Sequence, residues 1–163
     1  PRPADARPAP RPARGESLAP RFKAATPAQR GYDARHHAAL QGRLAELRKT
    51  LDRLLGLARQ GAADPGFRAR WPKERDAFLE EVGRLRARVM AVDPLGTRSW
   101  AVPVATHLVR ELEVRLPDAV RESWDPRPSG ALSTAQRDFT LIWGSLRRYV
   151  RNLNKEKPKG SSP

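Results

Sequence analysis

The sequence predicts an all-α fold: an antiparallel helical hairpin followed by a small helical bundle, flanked by an extended basic N-terminal arm and a C-terminal tail. Three observations carry that prediction. Two apolar heptad stripes lie either side of a short Pro/Gly turn, which is the pattern of two helices packed against each other. A third, strongly amphipathic stretch closes the chain at a 3.6-residue period. No segment shows the strict alternation of a half-buried strand.

Residues 1–26 form the arm. The first 20, PRPADARPAPRPARGESLAP, hold six prolines and four arginines but one leucine. Proline fixes φ and removes a backbone donor, so neither a helix nor a central strand is expected, and a polyproline-like extended chain is. The hairpin occupies 27–93. Thr26-Pro27 fits a cap followed by proline in the first helical turn. Leu40, Leu44, Leu47, Leu51, Leu54 and Ala58 then recur at steps of four and three, with Gly61 placed as a C-terminal cap. Ala63-Asp64-Pro65-Gly66 reads as a turn. The second stripe runs Trp71, Arg75, Phe78, Val82, Leu85, Val89 and Val92, with Arg75 alone out of character, and Asp93-Pro94 ends it. Residues 94–153 follow as a C-terminal helical region. A helix near 99–116 carries Val104, Ala105, Leu108, Leu112 and Leu116. Leu116-Pro117-Asp118 restarts a short helix toward Trp124, and Asp125–Gly130 breaks it.

The last helix carries the clearest pattern. Ser133-Thr134-Ala135-Gln136 fits a capping box. Phe139, Ile142, Trp143, Leu146, Tyr149, Val150 and Leu153 share one side of the wheel, while Arg137, Arg147, Arg148, Arg151 and Lys155 gather on the other. Asp138 lies between the two faces. Residues 154–163 are a basic tail.

Common catalytic constellations are missing, so the expectation is a non-enzyme with neither cofactor nor metal. The chain has no cysteine, which removes thiol nucleophiles, zinc-thiolate sites and iron–sulfur clusters, and leaves the redox compartment open. His36 and His37 are adjacent, hence about 100° apart on a helix, and make a poor metal pair compared with an i, i+4 arrangement. His107 is expected on a polar helix side in a structural role. Glycines are too scattered for a phosphate-cradling loop, and no G-x-S-x-G elbow occurs. Glu80, Glu81, Glu111 and Glu113 sit on helices among arginines, where ion pairs account for them. Trp71 and Trp143 fall within apolar stripes and read as core; Trp100 and Trp124 read as lids at helix ends. No apolar run is long enough to span a membrane, and no h-region of a secretory signal is visible.

What remains is charge. The 163 residues carry 32 Lys+Arg against 18 Asp+Glu, net +14. Residues 1–32 hold seven cations and two anions and residues 127–163 eight and two, whereas 64–126 is close to neutral. The excess therefore belongs to the extremities and not to the helical body. Arginine dominates; its planar fork grips phosphate bidentately and stacks on bases, although a GC-rich coding bias also enriches Arg, Ala and Pro. The expected partner is nucleic acid, RNA favoured, together with neighbouring proteins in a large assembly and no small-molecule substrate. The candidate contacts are Arg2, Arg7, Arg11, Arg14, Arg21 and Lys23 in the arm. Arg137, Arg147, Arg148 and Arg151 in the last helix and Lys155, Lys157 and Lys159 in the tail complete the set. An accessory ribosomal-type protein of a ribonucleoprotein fits this layout, in an intracellular compartment with which mitochondria are compatible.

Two alternatives stay open. From His107 to Leu153 a helix runs into Leu116-Pro117-Asp118-Ala119-Val120-Arg121-Glu122-Ser123-Trp124, then a loop, then a helix with Phe139, Trp143, Arg147 and Arg148. This stretch resembles part of the Gag protein of BEL/Pao-type retroelements. The resemblance covers under a third of the chain and lacks the Cys–His knuckle such proteins commonly carry. It implies a capsid protein that self-associates and packages nucleic acid. The other alternative is a helical adaptor subunit of a protein or membrane complex, with the heptad hairpin engaging a partner helix and the basic helix an anionic surface.

Overall fold

A computed structural model describes residues 34–94 and 100–153 of the chain. The arm 1–26, the expected helix start at Thr26-Pro27 and the tail 154–163 lie outside the described residues. The described residues form six helices: α1 (Ala34–Ala63), α2 (Pro65–Ala69), α3 (Trp71–Val92), α4 (Ala101–Glu113), α5 (Arg115–Glu122) and α6 (Ala131–Leu153). No strand occurs among the described residues.

The hairpin is α1 against α3. Leu40, Leu44, Leu47, Leu51, Leu54 and Ala58 are buried on α1, and Trp71, Phe78, Val82, Leu85 and Val89 on α3. Arg75 interrupts the second stripe with a half-buried side chain. Ion pairs flank the seam: Arg88 Nε to Glu46 at 3.0 Å and Arg53 to Glu81 at 2.5 Å. Going from Glu46 to Arg53 advances α1 by seven residues, while going from Arg88 to Glu81 retreats α3 by seven, so the helices run antiparallel in register.

Three expected boundaries shift, each for a local reason. Gly61 does not cap α1, which continues to Ala63; it is a buried helix-interior residue covered by the Trp124 ring. The Ala63–Gly66 turn is a single non-helical residue. Asp64, extended at φ −133°, accepts a hydrogen bond from the Gly66 N–H at 2.9 Å and caps α2, with Pro65 where a missing donor does no harm. The helix expected over 99–116 splits at Val114. The Pro117 ring would clash with the carbonyl of residue 113, so the chain leaves helical geometry at Val114 (φ −120°, ψ −71°) and restarts with Pro117 in the first turn of α5.

The capping box at Ser133 is likewise not formed. α6 begins two residues earlier, where Ser129 Oγ accepts from the Ala131 N–H at 3.3 Å. Gly130 adopts φ +84°, a left-handed conformation that disfavours any side chain.

Helices α4, α5 and α6 close over the hairpin to form one continuous core. Val104, Ala105, Leu108, Leu112 and Leu116 are buried as their spacing predicts, and α6 contributes Ala135, Phe139, Leu146, Val150 and Leu153. Trp71 lies in the core. Trp124 is more than a lid: its indole N–H donates to the Ala58 carbonyl at 2.9 Å, and its ring meets Trp71 and Phe67 edge-on at 5.2 and 6.1 Å. Trp100 rests on Tyr149 at 4.3 Å between centroids. None of the described helices is long and apolar enough to cross a membrane.

Candidate nucleic-acid interface

The last turn of α6 packs beside the first turn of α1. His37, 6 % exposed, places its Nε2 2.9 Å from the Val150 carbonyl. A carbonyl only accepts, so Nε2 carries the proton. Two turns further along α1, the Trp143 indole N–H donates to the Leu44 carbonyl at 2.9 Å. From His37 to Leu44 the partners move from Val150 back to Trp143, so α1 and α6 are antiparallel and zipped at both points. Ala34 and Leu153 each lie within one helical turn of the His37 bond. The sequences that flank the described body, 1–33 and 154–163, therefore attach to it at the same pole.

Arg147, Arg148 and Arg151 stand exposed at that pole. Among the described residues no acid pairs with them or with Arg137. Several acids of the body are engaged elsewhere: Glu46 by Arg43 and Arg88, Asp52 by Arg48, Glu81 by Arg53, Glu113 by Arg86, and Asp125 by Arg121. Glu111 faces both Arg115 and His107. Asp138, the one acid on α6, is held by Arg115 at 2.9 Å. That hydrogen bond, with Glu111 adding to it, raises the Arg115 pKa.

Of the expected contacts, the structure gathers Arg147, Arg148 and Arg151 into little more than one turn. Arg137 shares the outer face but lies about 15 Å from Arg147 along the axis at 1.5 Å per residue. Leu141, 61 % exposed, sits between them on the same face. The arm residues Arg2, Arg7, Arg11, Arg14, Arg21 and Lys23, and the tail residues Lys155, Lys157 and Lys159, lie outside the described residues.

Two participants escaped the sequence reading. Arg48 of α1 lies 5.7 Å from the centroid of the Trp143 ring and Arg147 lies 5.5 Å from it, so one indole carries two guanidiniums. Trp143 is thus half core and half surface. Arg48 stands next to the buried Leu47 in the heptad, a flanking position that pointed to a neighbouring helix without saying which. His37, which the sequence marked only as half of a poor metal pair, is a buried seam residue.

Between these helices runs a groove of about 490 Å³, lined on α1 by His37, Gln41, Leu44 and Ala45 and on α6 by Trp143, Arg147, Val150 and Arg151. Among the described residues no cluster of His, Asp and Glu is arranged to hold a metal ion. Compared with known proteins, the chain matches no family model, no curated protein and no solved structure.

Proposed function

We propose that this chain is a non-enzymatic structural component of a ribonucleoprotein, an accessory ribosomal-type protein that binds RNA phosphates at the α1/α6 pole while its helical body serves as scaffold. One observation carries the reading. The His37–Val150 bond sets Ala34 and Leu153, from which the sequences 1–33 and 154–163 continue, side by side and next to three arginines with which no acid among the described residues pairs. Seven cations against three acids in 1–33, and three lysines against one acid in 154–163, are chained to the end of the body where Arg147, Arg148 and Arg151 stand exposed. Each phosphate neutralised releases condensed counterion, so such a region favours salt-sensitive and sequence-tolerant binding.

Fluorescence anisotropy of a labelled single-stranded RNA against the full chain over a salt series tests the proposal. If the three pole arginines and three tail lysines alone engage, the slope of log K against log salt is about −4, and the arm steepens it. Replacing Arg2, Arg7, Arg11, Arg14, Arg21 and Lys23 with glutamine in the full chain is expected to flatten the slope without changing thermal stability. Absence of binding at low salt, or affinity independent of salt, would refute the reading.

A further inference from the structure

We infer that the α1/α6 groove is a seat for single-stranded RNA, taking an unpaired nucleotide by its base and phosphates; the inference rests on the RNA-binding reading and adds a preference for unpaired over duplex strands. The groove differs in kind from a basic surface. One wall is Gln41 and Ala45 on α1, one turn apart; the other is Trp143, Arg147 and Arg151 on α6; the buried Leu44 and Val150 lie between. Ala45 contributes only a methyl to the lining of this space of about 490 Å³.

The lining offers the groups that a nucleotide would use. It includes two arginines and no carboxylate, and Arg48 adds a third guanidinium over the Trp143 ring. The indole holds Arg48 and Arg147 near its ring, at 5.7 and 5.5 Å from the centroid, which limits the rotamer freedom each would lose on gripping a ligand. A guanidinium resting on an indole presents its far side for a base to stack on, while its edge N–H groups reach phosphate. Gln41 supplies an amide able to donate to and accept from a base edge. A duplex keeps its bases stacked inside and offers such a groove only its backbone. The segments 1–33 and 154–163 are themselves cation-rich, so charge complementarity disfavours them as occupants.

The test compares a labelled ten-nucleotide single-stranded RNA with a ten-base-pair RNA duplex on the full chain at fixed low salt, with thermal unfolding of every variant alongside. Ala45→Trp fills the groove without altering charge, and Gln41→Trp does so from one turn away should the first lose helicity. The wild type is expected to prefer the single strand about tenfold, the scale of one stacked base. Ala45→Trp is expected to abolish that preference while leaving duplex affinity unchanged, whereas Arg147→Gln weakens both. Equal affinity for the two RNAs, or a preference that survives both groove-filling variants, would overturn the seat and leave the phosphate-binding reading standing. Failure of either RNA to bind would overturn both.

Discussion

Replacing Gly61 with alanine should invert the usual effect of that substitution in a helix. At a solvent-facing interior position, glycine-to-alanine stabilises by about 0.5–1 kcal/mol, because alanine has the better helix propensity and constrains the unfolded chain. Gly83 on α3 is such a position, exposed and with no side chain within 4 Å of where a Cβ would stand. At Gly61 a Cβ would lie 2.1, 2.3 and 2.8 Å from Cζ2, Cε2 and Cη2 of Trp124. The indole cannot yield freely, since its N–H is bonded to the Ala58 carbonyl and its ring is wedged against Trp71 and Phe67. Moving it sacrifices a hydrogen bond of about 1 kcal/mol and adds overpacking strain of about 1–3 kcal/mol, which together outweigh the propensity gain. The expected result is a net loss of about 2 kcal/mol for Gly61→Ala and a gain for Gly83→Ala. Urea unfolding followed by far-ultraviolet circular dichroism measures both. In a Trp124→Ala background the obstruction is gone, so Gly61→Ala should become neutral or stabilising, a coupling of about 2 kcal/mol between the two sites. Equal stability of Gly61→Ala and Gly83→Ala, or an undiminished loss in the Trp124→Ala background, would refute the packing argument.

Other outcomes follow from the same geometry. His37→Leu should cost about 1–2 kcal/mol by leaving the Val150 carbonyl without its partner, and hydrogen exchange should show the end of α6 opening before the rest of the core. Trp143→Phe keeps a ring but loses the bond to the Leu44 carbonyl, with an expected loss of about 1 kcal/mol in urea unfolding. The Arg53–Glu81 pair flanks the hairpin at the surface, so a double-mutant cycle with alanine should give no more than about 1 kcal/mol of coupling, shrinking further in high salt. Light scattering of nuclease-treated protein should report a monomer of 18.2 kDa, whereas large particles would favour the Gag-like alternative.

The heptad arithmetic made most of the fold legible, because burial on a helix follows spacing directly. All six members of the first stripe are buried, and the second stripe deviates at Arg75, the residue that looked out of place. Boundaries were less legible where the decisive partner is remote. A glycine near a helix end looks like a cap whether it ends the helix or makes room for an indole, and Trp124 is 63 residues away from Gly61. Ser133-Thr134-Ala135-Gln136 has capping-box spacing, but Ser129 and the left-handed Gly130 start α6 first. The candidate site was half legible. The wheel separates the arginines of α6 from its core face, yet nothing local tells that Asp138 is drawn away by Arg115, or that Arg48 shares the Trp143 ring with Arg147. The meeting of the first turn of α1 with the last turn of α6 is a tertiary fact, and it brings the attachment points of two separate basic segments to one end of the body.

A hydrogen-exchange footprint of the full chain, with and without a single-stranded RNA at low salt, tests that convergence most directly. The account predicts slowed exchange in the first turns of α1 and the last turns of α6, centred on His37–Arg48 and Trp143–Leu153, and no change around Asp64–Trp71 at the opposite end of the hairpin. Protection centred on α2 and Trp124, or spread evenly over the body, would contradict it.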